Sequence, residues 1–420
     1  MRRIIAALLS LILLGSTARA EGYAFRFEGG AAVVDENGTT IIAPGTYEDL
    51  YALYADDGTV AGYAAGTHAG GALRYAILSP EGEERTGFSY TSVEWAGASF
   101  ICGADGSYRI VSGAGAESAD AYAAIAYAGD GAFLTLSGNV NDDIADPLAL
   151  LAENGIKWQM GIYVLYGLGT FSEDLMPVCD GGSVRFGYIG RDGAWKIPAQ
   201  YEYAGDFKDG YAVVSTQTGY GVIDATGAVA VDPDFDFIER EGNRILAVKG
   251  GALALYEVGA DGLSKAFEKD VADASPRLSG ASVVLYGSEG VTVLGADGGA
   301  RFVASPTASV SETGGLYVVR DGDWAAASAY LANGSGVPVS AKYNTIRLLE
   351  GEGKNALFAY GVMAADSYDM MFGMMRGDGE IVMEAKFDEL VRVGPGLFCA
   401  TEADGASLID GSGERISGIE

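Results

Sequence analysis

A single histidine, His68 in Gly66-Thr67-His68-Ala69, limits the acid–base and metal chemistry open to this chain. One imidazole rules out an H-E-x-x-H zinc motif and any His-rich metal site. A Ser-His-Asp triad would have to use His68, and no G-x-S-x-G elbow supplies its nucleophile. Gly353-Lys354 is followed by Asn355, so the phosphate-binding G-K-[ST] ending is missing. Gly351 to Ala356 fits G-x-G-x-x-A, but Leu357 to Tyr360 then reads as a strand where a dinucleotide site needs a helix. The segment is read as a hairpin turn. Carboxylates remain: Asp142, Asp143 and Asp146, or Glu81, Glu83 and Glu84, could act as an acid–base pair on a glycan. With 57 acidic residues, close pairs arise from composition alone. Asn139, Asn141, Asp142, Asp143 and Asp146 offer hard oxygens to Ca²⁺, at a spacing unlike an EF-hand loop. Arg376-Gly377-Asp378 is similar to an integrin-recognition tripeptide, yet it falls where turn chemistry alone accounts for it. The reading is therefore non-enzymatic, with no catalytic residue, no cofactor and no metal.

Charge and the N-terminus bound the partners. Arg2 and Arg3 precede an apolar run from Ile4 to Leu14, and Ala18-Arg19-Ala20 resembles a cleavage site before Glu21. Residues 1–20 are read as a signal peptide, and the chain as exported, extracellular or associated with the cell envelope. No later run reaches 18 apolar residues, so no membrane insertion is expected after cleavage. A formal charge of −30 repels phosphate backbones and disfavours nucleic acid. The three cysteines, Cys102, Cys179 and Cys399, form no C-x-x-C pair and are read as buried free thiols.

The elements that would position any site are β-strands. Apolar residues come in runs of four to seven between Gly, Asp and Asn turns, the pattern of strands and hairpins. Turn glycines recur at Gly193, Gly227, Gly262, Gly298, Gly334, Gly379 and Gly413, with spacings of 34, 35, 36, 36, 45 and 34 residues. Eight or nine residues after several of them stands an aromatic: Tyr201, Phe235, Tyr343 and Phe387 here, Tyr47 and Tyr90 near the N-terminus. The copies at Gly262 and Gly298 lack it. A period of 34–36 residues marks a repeat array in which each unit must stack on a neighbour. Residues 181–420 read as regular repeats and 21–180 as divergent ones, the two forming one continuous array or two. Asp146-Pro147 and Asn154-Gly155 predict one short helix over 147–153, inserted between β units.

The chain begins with F-x-x-G-x-A-V-V ending at Val34, which is the second half of a unit. It stops after Ser407 to Gly413, the first half of one. Ends of this kind can pair and close a ring. An open β-solenoid is the alternative.

The unit resembles the WG-repeat family of bacterial proteins. Gly187-Tyr188-Ile189, Gly193, Ile197-Pro198, Tyr201, Phe207, Gly210, Ala212 and Val214 stand in the family's order. A second copy has Gly221-Val222-Ile223-Asp224, Gly227, Pro233 and Phe235, and a third has Phe372-Gly373-Met374, Gly379 and Phe387. Phe186, Tyr220 and Phe372 occupy the place of the name-giving Trp, whereas Trp324 keeps the Trp and loses the Gly. The resemblance implies an all-β, β-propeller-like array that serves interaction rather than catalysis, and it carries packing positions instead of catalytic residues. Among 24 tyrosines, most would pack between sheets, and some could stack on sugars or peptides. The expected function is a protein- or glycan-binding surface at the cell envelope. A structural scaffold without a small ligand is the alternative, and a carboxylate-dependent glycan-processing enzyme the third.

Overall fold

The computed structural model describes the chain from Tyr23 to Ile419, apart from residues 28–29, 35–39, 56–58, 130, 137–147, 153–156, 161–169, 181–182, 272, 323–327, 364–368 and 403–404. The proposed signal peptide and the Asn139–Asp146 oxygen cluster lie outside the described residues. So does Trp324. The chain divides into two compact units, residues 1–127 with 133–143, and residues 128–132 with 144–420.

Antiparallel meanders built from consecutive strands make up both units. The first unit holds three-stranded sheets over 23–42, 49–78 and 92–112, and the strand Ala124–Tyr127 paired with residues 133–136. The second holds sheets over 175–201, 203–235, 237–270, 274–304, 309–332, 345–387 and 389–419, five of them four-stranded. This is the β-propeller-like array expected. A β-solenoid would instead run parallel ladders through successive turns.

Burial follows position within each sheet. Second strands such as Ser282–Gly287 and Leu397–Glu402 are mostly buried, and the first of these has a neighbouring sheet packed on each side. They therefore read as unbroken apolar runs. The outer strand Gly262–Asp270, with Lys265, Glu268 and Lys269, is largely exposed.

The core of the second unit is a succession of seams between consecutive sheets from 175–201 onward. Tyr188, Ile197 and Tyr201 of the 175–201 sheet meet Ala204, Ala212, Val214 and Ile223 of the next. Further seams join 203–235 to 237–270, then 274–304, 309–332, 345–387 and 389–419 in turn. The sequence unit Phe186–Val214 thus covers the last two strands of one sheet and the first two of the next. What repeats in sequence is a seam, not a sheet.

Two expectations are corrected. No helix forms over 147–153: Leu148–Ala152 is a strand, paired antiparallel with Lys157–Met160. Capping signals are worth about 1 kcal/mol each and cannot nucleate so short a helix, whereas a neighbouring strand offers a full ladder. The turn glycine of the fifth copy is Gly336 (φ 75°), not Gly334. The turn opens on Asn333, two residues before Ser335, and only the later glycine takes the left-handed position. The half-unit from Ser407 also pairs within its own sheet, with Leu397–Glu402 and Arg415–Ile419. Those C-terminal strands complete a four-stranded sheet by themselves.

Candidate binding surface

Three backbone devices hold the repeated side chains, and each explains a sequence position. The first is the glycine after the aromatic. Phe186 pairs with Tyr201 and Tyr188 with Ile197, so three residues bulge opposite Gly187. A Cβ on Gly187 would lie 2.6 Å from the Ala199 nitrogen and the Ile197 oxygen. Gly221 sits under residues 232–234, with its Cβ position 2.6 Å from the Val231 oxygen, and Gly373 sits under 384–386. Pro198 and Pro233 stand on these bulges, where no ladder N–H is required.

The second device is the turn. In eight copies among the described residues, the left-handed glycine donates its N–H to the carbonyl three residues back: Gly82 to Ser79, Gly115 to Ser112, Gly193 to Gly190, Gly227 to Asp224, Gly298 to Gly295, Gly336 to Asn333, Gly379 to Arg376 and Gly413 to Asp410. A side chain then caps the loop. Asp224 Oδ1 accepts from the Thr226 and Ala228 amides, and Asp410 Oδ1 from those of Ser412 and Glu414. The Thr226 and Ser412 hydroxyls hold these two carboxyls below the usual aspartate range. Where Gly190 or Gly295 opens the turn, Asp192 and Asp297 take over.

The third device is the aromatic that ends each unit. Tyr90, Tyr122, Tyr201, Phe235, Tyr343 and Phe387 each stand two residues before the first strand of the next sheet, as does Tyr47. The intervening residue donates its amide to the second strand of that new sheet, as Glu202 does to Ser215 at 2.8 Å and Asp236 to Val248 at 2.8 Å. The aromatic marks the crossing point, and the two copies lacking it cross by longer links, from Asp270 to Ala274 and from Ala304 to Ser309. Sheets 49–78, 92–112 and 309–332 replace the regular fourth strand by isolated bridges ending at Tyr90, Tyr122 and Tyr343. There a hydroxyl accepts the amide left open: Thr86 from Ile77, Ser118 from Ile110 and Ser340 from Leu331. Sequence reasoning missed this Ser/Thr, whose signal was its place three or four residues before the aromatic.

Most repeat positions are thereby committed to packing. Tyr188 is fully buried, donates to the Gly205 carbonyl at 2.8 Å and meets Phe207 edge-on at 4.8 Å. Gly210 (φ 80°) turns the chain into the strand that carries Ala212 and Val214. Phe387 is buried against Leu390 and Phe398.

The candidate chemistry of the sequence is dispersed. His68 is exposed, with Nδ1 2.5 Å from Glu48 Oε2. The same carboxylate accepts the His68 amide, which pulls Glu48 below its usual range. Glu81, Glu83 and Glu84 are exposed, on and just after the Ser79–Gly82 turn, where Ser79 Oγ accepts the Glu81 and Glu83 amides. In Arg376-Gly377-Asp378, Arg376 pairs with Glu380, Gly377 is buried with its amide on Ala356, and Asp378 caps the Glu380 amide. Asn355 ends a single 3-10 turn, Gly353–Asn355, that leads directly into the strand Leu357–Met363. The three cysteines are free; burial pushes Cys102 up to about 12 and Cys399 to about 11, while Cys179 is partly exposed. Among the described residues, no three His, Cys, Asp or Glu side chains converge as a metal site would require, and no helix is long and apolar enough to cross a membrane.

One group of repeat-derived aromatics faces outward. In the 203–235 sheet, Tyr203, Ser215 and Tyr220 are directly opposite one another on adjacent strands, with Phe235 next in the row. Residues so paired share a face of the sheet. Tyr203 is 48% and Tyr220 36% exposed, while Ser215 between them is buried. Their ring centroids are 6.4 Å apart with planes at 61°. The small serine leaves an aromatic corner with a polar floor. Glu202 and Asp234 adjoin it in sequence and pair with Arg185 and Lys249. Trp195 and Phe237 are also exposed. Nothing in the sequence separated these rings from the buried ones, since both occupy repeat positions.

Residues 186–216 and 220–251 each match the WG containing repeat. No curated protein matches the chain in sequence. Among solved structures, a crystal structure titled as the eukaryotic initiation factor is similar at 12% identity, covering 78% of this chain and 97% of that one, with a TM-score of 0.39. PorZ, a surface component of the type-IX secretion system of Porphyromonas gingivalis, is similar at 10% identity over 79% of this chain and 52% of its own, with a TM-score of 0.25. Hsv2p of Kluyveromyces lactis is similar at 10% identity over 69% of this chain and 98% of its own, at 0.30.

Proposed function

From the premise that the chain is a WG-repeat protein, we propose that it is exported and non-catalytic, and that it presents a protein- or glycan-binding surface at the cell envelope. The observation that carries this reading is the exposed corner of Tyr203 and Tyr220 over Ser215. Aromatic rings left in water on an otherwise packed repeat are the side chains a binding surface needs, because they bring large contact area at low entropic cost. The leader-like residues 1–20 support export. Among the described residues, His68 and the Glu81–Glu84 carboxylates are exposed and do not converge, which supports a role without catalysis.

The test is co-sedimentation of the purified protein with insoluble peptidoglycan, together with its retention on immobilised mucin and on immobilised unstructured peptides, at low and moderate salt. Salt-resistant binding that Tyr203→Ala and Tyr220→Ala each weaken is the expected result. Binding to none of the supports, or binding that both variants leave unchanged, would remove this surface from consideration. Self-association would then point to the scaffold reading, and turnover of a glycan to the enzymatic one.

A further inference from the structure

We infer that the Tyr203–Ser215–Tyr220 corner receives an arginine or lysine side chain from a basic, extended segment of a partner protein. The inference rests on the binding reading above and narrows its ligand.

Two positions of the repeat define the corner: the first residue of a sheet's first strand (Tyr203), and the residue before the bulge-facing glycine (Tyr220). Both positions meet a guanidinium elsewhere in the same array. Phe237, the counterpart of Tyr203, has Arg277 over its ring at 5.2 Å. Phe372, the counterpart of Tyr220, has Arg347 at 5.4 Å. Among the described residues no Lys or Arg is stacked on Tyr203 or Tyr220, although both rings are open to solvent. Cations bind aromatic faces within about 6 Å of the centroid, and arginine does so most often. The repeat therefore supplies the receiving half of a contact that this sheet does not complete internally.

Electrostatics favours the same class of partner. A chain of charge −30 concentrates cations near its surface and speeds their arrival. Beside the rings, Glu202 and Asp234 are already paired with Arg185 and Lys249, so the attraction comes from the net charge of the chain and from Asp236, next to Phe237 in sequence. A neutral sugar gains nothing from that field, and rings inclined at 61° do not form the flat platform on which a pyranose stacks.

The experiment measures binding of a fluorescein-labelled (Gly-Arg)₄ peptide by anisotropy, with (Gly-Lys)₄ and (Gly-Glu)₄ alongside and chitotetraose titrated calorimetrically. The expected order is Arg above Lys, with no binding of the Glu peptide. Tyr203→Leu and Tyr220→Leu keep the apolar bulk, lose the ring, and should each weaken the Arg peptide about threefold to tenfold. Tyr220→Phe keeps the ring and should retain binding, which separates loss of the contact from loss of the fold. Arg-peptide binding that both Leu variants leave intact would mean general attraction to a polyanion, and would overturn the inference. Chitotetraose binding lost in the Leu variants, without peptide binding, would overturn it too while leaving the surface itself standing. Binding of no probe would overturn the inference, whereas the broader binding reading falls only if peptidoglycan, mucin and the immobilised peptides also fail to retain the protein.

Discussion

At the scale of residues, the glycines of the repeat do two different jobs, and a single methyl group tells them apart. Gly221 is fixed by contact: its Cβ would strike the Val231 oxygen at 2.6 Å and the Pro233 backbone at 2.7–2.8 Å, where no flexible side chain can yield. Gly210 is fixed by conformation, at φ 80° with nothing within 4 Å of its Cβ position. Gly221→Ala should therefore cost about 2–3 kcal/mol, and Gly210→Ala about 1 kcal/mol. Urea unfolding of the two variants checks the order. Equal losses would mean that the bulge over Gly221 relaxes freely. The aromatic preceding this glycine is less constrained, and Phe186, Tyr220 and Phe372 all serve in place of Trp. That tolerance allows Tyr220 to turn outward without disturbing the fold.

At the scale of elements, the turns link stability to pH. Asp224 and Asp410 accept amide and hydroxyl hydrogen bonds as carboxylates, and their pKa values in the fold lie below the ordinary one. A group lowered in this way contributes its full stability above the unfolded value of about 3.9, and loses it as pH falls through the lower folded value. Stability should thus decline below about pH 4. Asp224→Asn, which keeps an acceptor but no titrating proton, should flatten part of that decline. Thermal midpoints between pH 3 and 6 measure it, and an Asn variant with an unchanged slope would show that the turn does not carry it. The turns also account for what was legible in the sequence. Asp or Asn with a following glycine is a local signal, so seven of the turns could be placed to within two residues. Residues 147–153 carried equally local helix signals, yet Leu148–Ala152 is a strand, because ladder pairing is a non-local gain that no capping residue reports.

At the scale of the whole molecule, stability is divided among seams, since consecutive sheets of the second unit pack face to face. Removing residues 389–419 would uncover Leu357, Ala359, Met374 and Phe387, which now pack on Leu390, Phe398, Ala400 and Ile409. The truncated protein should bind a hydrophobic dye and unfold with a shallower urea dependence. An unchanged m-value without dye binding would mean that the last sheet is dispensable. The formal charge of −30 accords with the proposed attraction of a basic partner.

The sequence by itself determined the all-β class, the period, the turn glycines and the aromatic that ends each unit. All of these follow from local backbone demands: positive φ, a missing Cβ, or a ring too large to leave a seam. Only the tertiary structure decided that the repeating unit is a seam shared by two sheets, that the Gly after the aromatic lies beneath a bulge, and that a hydroxyl replaces a missing fourth strand. It also decided which aromatics face water. Tyr188 and Tyr220 look alike along the chain, one residue on either side of a WG-type glycine. Which of them is buried depends on the sheet packed against it: Phe207 and Ala212 of the next sheet cover Tyr188, and only the assembled seam shows this.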